Sequence, residues 1–296
     1  MQSPATIVVL VKHAVDPLTV VIDPLTGQPD PGRLVAGPDP TGLQAAAWAL
    51  AARDALRASG RGARVVAVVA GPSDAVATAR HVIALGVDEA IRADIALHPH
   101  DPMTTARALA LAAPMDALVS IVVAGTSSAD RSSGVVPPAF AEIVGLRYAG
   151  DVMIESPDQA LGPDEVTFVT LDPVGRRVAC SCPLPVVLGI RAASVPVPAI
   201  SLERRLAAQQ ALIPVVRIAA VGHQADASSI CPPRLPPHLR PAPEGERPEE
   251  RLASLMTAGS ARRAGRVVQG QVGVLVEAAM QFLVQGGFLG PAEDET

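Results

Sequence analysis

"IVVLVKHAVDP", residues 7–17, decides the fold. Five apolar residues run without a polar interruption into Lys12, the only lysine in the chain. A strand with one wet face alternates apolar and polar side chains, whereas an uninterrupted run is expected where both faces of a parallel sheet are covered. "ARVVAVVAG" (63–71) and "LVSIVVAG" (118–125) repeat the pattern, and "EAIRAD" (89–94) reads as a shorter strand. Helical stretches separate them. Residues 41–59 have strong helix propensity, with Thr41 expected as N-cap and Gly60 as the stop. Residues 73–86 are expected to start at Ser73 and end at Gly86, and 102–113 forms a third helix. "PPAFAEIVG" (137–145) opens a fourth with prolines, which a first helical turn tolerates. Strand–helix alternation predicts a parallel sheet with helices on both faces and ligands at the carboxyl ends of its strands.

Outside this core the pattern loosens. Residues 20–40 are rich in Pro, Gly and Asp and read as loop, with a short hairpin around Asp23–Gly27. From about residue 151, "VTFVTLD" (166–172) and "RRVACSCPLPVVLGI" (176–190) read as an antiparallel pair. The expected organisation is a nucleotide-binding α/β domain over 1–190 and a proline-punctuated, partner-wrapping arm with a short helix over 191–218. A Pro-rich extended linker over 219–246 and a helical extension over 247–296 complete it. The extension should hold helices near 248–258 and within 271–287, then a disordered acidic end.

Several function classes are disfavoured. Net charge is −5 and aromatic residues make up only 2% of the chain, so neither the basic footprint nor the stacking platforms of a nucleic-acid binder are present. No apolar run approaches the roughly 18 residues of a bilayer span. The first residues lack the basic segment and cleavage site of an export signal, and a cytoplasmic location is expected. Three cysteines do not suggest a disulfide framework. Cys180 and Cys182 alternate on one strand face and are expected to be buried there. His98 and His100 flank Pro99 without further ligands, so no metal site is expected. The chain contains no G-x-G-x-x-G after its first strand, no G-x-x-x-x-G-K-[ST], no G-x-S-x-G and no H-E-x-x-H. Catalytic residues are therefore not expected, and an enzyme is disfavoured.

What remains is a set of strand ends: "VKHAVD" (11–16), "AGPDPTG" (36–42), "AGPSD" (70–74) and "AGTSSADRSSGVVPP" (124–138). The last combines glycines and hydroxyl side chains with a following helix start, whose backbone N–H groups can hold a phosphate. An ordinary solvated loop is the alternative reading.

Taken in order, these segments resemble the β subunits of electron transfer flavoproteins. Val11-Lys12-His13-Ala14-Val15-Asp16 matches V-K-x-V-x-D at the end of the first strand. Gly37-Pro38-Asp39-Pro40-Thr41 stands where that family has N-P-[FY]-x-E. "VIALGVDEA" (82–90) follows A-L-A-M-G-A-D-x-A, and "GTSSADRSSGVVP" (125–137) follows G-x-Q-A-x-D-x-D-x-x-Q-x-G. "AEIVGL" and "CPLPVVLGI" (182–190) complete the series, which covers residues 6 to about 205. The resemblance implies a Rossmann-like sheet and a heterodimer with an electron transfer flavoprotein alpha subunit that holds most of an FAD. It implies electrons arriving from flavin dehydrogenases and leaving to a quinone-linked or other acceptor, with AMP or a second FAD at the strand ends of this chain.

Carried over by position, cofactor contacts fall on Leu10, Lys12, Asp16, Gly37, Pro38, Asp39, Pro40 and Ala67. The long loop adds Gly125, Thr126, Ser127, Asp130, Arg131, Ser132, Ser133, Gly134, Val135 and Val136. The main-chain N–H groups of Ser133, Gly134 and Val135 would face the phosphate. Lys12 would bring a compact charge to phosphate or flavin. Ile200, where the family has a protruding leucine, and Leu202 would dock a dehydrogenase. Gly37 and Val135 replace amide side chains, and Arg131 stands where acid or glycine is usual and would offset their loss by meeting a phosphate. Residues 265–289 resemble the closing segment of longer β subunits, which include bifurcating forms. A nucleotide-free β-like subunit and a stand-alone universal-stress-type module are the alternatives.

Overall fold

The computed structural model describes residues 5–23, 29–30, 32–95, 101–115, 119–153, 160–162, 164–172, 174–191, 196–218, 247–252 and 267–285. Two compact units divide the chain at residues 227 and 228.

The first unit is built on a seven-stranded sheet in the order β11-β5-β4-β1-β6-β10-β7, with every neighbouring pair parallel. Its strands are β1 (Ala5–Leu10), β4 (Ala63–Gly71), β5 (Glu89–Asp94), β6 (Val119–Gly125), β7 (Arg147–Val152), β10 (Val186–Ile190) and β11 (Val215–Arg217). Helices α1 (Pro40–Ala58) and α2 (Val76–Leu85) cover one face, while α3 (Pro102–Ala112) and α4 (Val136–Val144) cover the other. The expected Rossmann-like α/β architecture is the observed one.

Strand parity divides the core. Ile7, Val9 and Val11 pack with Trp48 and the alanines of α1, and Val8 and Leu10 pack with Leu109 of α3 and Phe140 of α4. Small and β-branched side chains fill these layers, as a chain with 2% aromatic residues requires. The α1 face is also tied down by charge. Asp88 accepts from the Val65 N–H at 2.8 Å and from Arg53 and Arg57 at 3.1 Å each. Burial alone would raise its pKa, but these three donors outweigh burial and hold it below the usual carboxylate range. A lowered folded-state pKa stabilises the fold above the unfolded value of about 3.9, and that contribution disappears as pH falls through the folded-state value. Asp88→Asn should therefore cost about 1–3 kcal/mol at pH 7. The difference from the parent protein should shrink at pH 3, as read by urea unfolding at both pH values.

Several local expectations change. Asp39, not Thr41, caps α1, because Pro40 occupies the first helical position and the cap therefore lies two residues earlier. Ser73 makes no cap; a 3-10 turn, Ser73–Ala75, precedes α2. The run 176–190 is two strands. β9 (Arg177–Pro183) pairs antiparallel with β8 (Glu165–Leu171), and β10 returns to the main sheet beside β6. Pro183 and Pro185 supply no N–H to a continuous ladder there. Cys180 and Cys182 share a face of β9 but are half-buried rather than buried.

Two further short strands were not anticipated. β2 (His13–Val15) pairs antiparallel with β3 (Ala36–Pro38), which carries the start of α1 back to the end of β1. An antiparallel bridge joins Ile22 and Pro29 across the expected hairpin, whose residues 24–28 lie outside the described residues. α5 (Leu202–Gln209) and β11 lie within the segment expected as an arm with a short helix, 191–218, and β11 extends the main sheet beyond residue 190.

In the second unit, residues 248–252 are helical and α6 spans Val272–Gln285 with Glu277 as its one charged residue. Residues 219–246 with Cys231, together with His98, His100 and the acidic end, lie outside the described residues. Among the described residues no helix is long and apolar enough to cross a bilayer.

Candidate functional site

The chain leaves β1 toward β4 and β5 on one side and later returns to β6 on the other, so the strand order reverses between β1 and β6. Open parallel sheets bind ligands at such a reversal, beyond the carboxyl ends of the strands. A cleft of about 490 Å³ lies there. That is within the range of sites for cofactor-sized ligands.

Three helix N-termini border the cleft: Asp39 and Thr41 from α1, Asp101 and Pro102 from α3, and Val136 and Pro137 from α4. Each end carries partial positive charge. Two are already capped. Asp39, only 2% exposed, accepts from the N–H groups of Thr41 and Gly42. Asp101 accepts from the Met103 N–H and the Thr104 hydroxyl. The Thr104 hydroxyl, followed by backbone N–H donors, holds the Asp101 pKa below the usual carboxylate range against a smaller opposing effect of burial.

The start of α4 is different. Val135 provides no side-chain cap, and Pro137 and Pro138 have no N–H. Among the described residues, the main-chain N–H groups of Ser133, Gly134, Val135 and Val136 have no acceptor. Gly134 has φ +63° and Val135 follows with right-handed helical angles. Successive left- and right-handed residues turn neighbouring N–H groups into one concavity, a recurrent anion cradle.

The loop leading to this cradle is anchored on both sides. Asp39 accepts from the Ala129 N–H at 2.7 Å, and the Thr41 hydroxyl lies between the Asp39 carboxylate and the Ser127 carbonyl. Opposite, the Lys12 ammonium donates to Asp130 at 2.6 Å and to Ser128 at 3.1 Å. Burial would raise the Asp130 pKa; hydrogen bonds from Lys12 and Ser128 and the Lys12 charge outweigh it and lower the pKa. The cleft thus holds Lys12 and Arg131 against Asp39, Asp101 and Asp130. Lys12 is paired, whereas Arg131 has no ion-pair partner among the described residues.

Of the residues expected at a cofactor, Leu10, Lys12, Asp39, Gly125, Thr126, Ser127, Asp130, Arg131, Ser133, Gly134 and Val136 line the cleft. Asp16, Gly37, Pro38, Pro40, Ala67, Ser132 and Val135 are not in its lining. Asp16 caps the 3-10 turn Pro17–Thr19. Gly37 and Pro38 pair with β2, and Pro40 begins α1. Ala67 is fully buried with Trp48 on the opposite face of β4, so Ala70 takes its expected place at the cleft. Ser132 bonds back to the Ser128 carbonyl at φ +51°, and Val135 is the first residue before α4.

Residues not anticipated include His13, Thr41 and the α3 group Asp101, Thr105 and Leu109. Ser128 falls within the loop expected at the nucleotide; the α3 residues carry no local motif. Away from the cleft, Ile200 is half-buried against the core instead of protruding, and Leu202 is 71% exposed. Among the described residues, Thr126 Oγ1 is buried beside the cleft without a hydrogen-bond partner, whereas His13 Nε2 lies 3.6 Å from the Asp74 carboxylate. No cluster of metal-ligating side chains occurs among the described residues.

The family model described as electron transfer flavoprotein domain matches residues 38–220, more than half of the chain. A comparison with curated proteins finds no match.

Proposed function

The chain belongs to the electron transfer flavoprotein domain family, whose members are electron carriers rather than enzymes, and from that premise we propose that it is a β-type subunit with AMP in its switch-point cleft. In this reading it completes an FAD-containing heterodimer with an alpha subunit. That heterodimer takes electrons from flavin dehydrogenases and passes them to a quinone-linked or other acceptor.

One observation carries the nucleotide assignment: four consecutive main-chain N–H groups, Ser133 to Val136, have no acceptor among the described residues, and Ser133, Gly134 and Val136 line the cleft. The uncapped start of α4 adds its positive end to them. Arg131 supplies the cation for a phosphate. Leu10, Ala70, Leu109 and Ala124 form an apolar wall suited to a purine. The buried Thr126 hydroxyl, without a partner among the described residues, fits a site whose polar partner comes with a ligand. One cradle and one unpaired cation match one phosphate group, which favours AMP over a second FAD. A bound flavin would supply the redox chemistry; this chain's residues hold, orient and shield.

The test is to co-express the full chain with an electron transfer flavoprotein alpha subunit, denature the purified complex and count the nucleotides released. One FAD with one AMP per heterodimer is the expected result. Two FAD would replace AMP by a second flavin. One FAD alone would overturn the nucleotide assignment, and a monodisperse chain that binds ATP without a partner would overturn the β-subunit reading.

A further inference from the structure

The only lysine of the chain does not point an unpaired charge into the cleft. Its ammonium lies 2.6 Å from Asp130 and 3.1 Å from the Ser128 hydroxyl, which itself donates to the same Asp130 oxygen at 2.7 Å. Lys12 follows the end of β1, and its partners follow the end of β6. The contact therefore ties together the two strands between which the sheet order reverses.

Its position along the loop gives the contact meaning. Ser127 and Ala129 are held from the α1 side by Thr41 and Asp39. Asp130 is held from the β1 side by Lys12. Beyond Asp130, the Arg131 N–H bonds to the Asp130 carboxylate, and the bond pair from Ser132 to the Ser128 carbonyl closes the turn before α4. Asp130 is thus the last residue anchored to the sheet before the N–H cradle begins.

We propose that Lys12 is a positioning residue: it acts through Asp130 to hold the Ser133–Val136 N–H groups toward the cleft, and it does not itself bind the ligand phosphate. The proposal rests on the nucleotide reading above. A phosphate that took Lys12 for itself would leave the Asp130 carboxylate, whose side chain is 17% exposed, without its cation and facing a like charge. Arg131, next in sequence and without an ion-pair partner among the described residues, has no such conflict. The lowered pKa of Asp130 keeps the tether ionised through the neutral range.

The two roles for Lys12 predict opposite signs for a change at its partner. If Lys12 positions the loop, Lys12→Ala and Asp130→Ala should each weaken AMP binding by the full chain about tenfold. The double variant should then be no weaker than either single one. Amide hydrogen exchange across residues 131–136 should be faster in both single variants even without AMP. If Lys12 instead meets the phosphate, Asp130→Ala frees it, and AMP should bind as well as or better than to the parent chain while Lys12→Ala alone weakens it. That pattern would overturn the proposal, as would unchanged exchange at 131–136. Failure of the parent chain to bind AMP would count against the nucleotide reading, and the exchange measurement would still decide whether Lys12 holds the loop.

Discussion

Gly125→Ala is expected to cost about 3 kcal/mol or more of stability, at the upper end for overpacking a core position, and to abolish AMP binding. A Cβ built on Gly125 lies 2.1 Å from the Thr41 hydroxyl, 2.7 Å from its Cβ and 2.8 Å from its backbone carbonyl carbon. None of these is the far end of a flexible side chain. The odd-numbered residues of β6, Ile121 and Val123, pack toward α1, and Gly125 continues that face to where the helix begins. Thr41 cannot withdraw freely, because Asp39 clamps the first turn of α1 to the loop at Ala129. A methyl group must lift the start of α1 from the sheet and take the cradle loop with it. Gly37→Ala is the control. A Cβ there meets nothing within 4 Å, and no positive φ requires glycine. Its urea midpoint should match the parent protein's. Parent-like unfolding and AMP binding by Gly125→Ala would show that the close approach of helix and strand is not needed.

Trp48→Ala should be the most damaging single truncation in the core, at about 3–5 kcal/mol. Trp48 is the only tryptophan and is fully buried in α1. It belongs to a buried cluster with Ala45, Ala49 and Ala52 of its own helix and Ile7, Val9 and Val123 of the sheet. Alanines cannot extend into the space it leaves, and β-branched strand residues have little rotamer freedom with which to follow. The cavity should therefore stay largely open. The drop should appear as a lower urea midpoint with an unchanged slope. Trp48→Phe should cost clearly less, because it keeps much of the ring volume and removes an indole N–H that has no acceptor among the described residues. Equal losses in the two variants would contradict this account of the core.

Where burial wrote itself into the sequence, the fold was readable. β1, β4 and β6 are covered on both faces, so their apolar runs are uninterrupted, and β5 was bounded by the polar residues on either side. Strands that exist only through tertiary pairing were not visible. β2 and β3 have three residues each, β11 is three residues after Pro214, and β7 contains Arg147, Gly150 and Asp151. No local pattern distinguishes such segments from loop. The division of 176–190 into β9 and β10 was hidden by apolar residues on both sides of Pro183 and Pro185.

The site shows the same division. Its loops were legible because they end buried strands and carry glycine and hydroxyl residues. Ala67, expected at a cofactor, has the β4 parity that faces the Trp48 layer, whereas Ala70 has the parity that faces the Leu109 layer and lines the cleft. Asp39, expected as a cofactor contact, lines the cleft and is also the buried cap that binds α1 to the loop. Asp101, Thr105 and Leu109 reach the cleft only because α3 packs beside α4, a relation no short stretch of sequence encodes.

The central claim is that the Ser133–Val136 cradle and Arg131 receive the phosphate of an adenine nucleotide. The most direct measurement is a titration of the isotopically labelled full chain with AMP, followed by the backbone amide resonances in two-dimensional NMR. The account predicts saturable shifts at residues 133–136, with smaller ones at Leu10 and Ala70, and loss of all of them in Arg131→Glu. Saturable shifts centred elsewhere, or none on adding AMP, would contradict it.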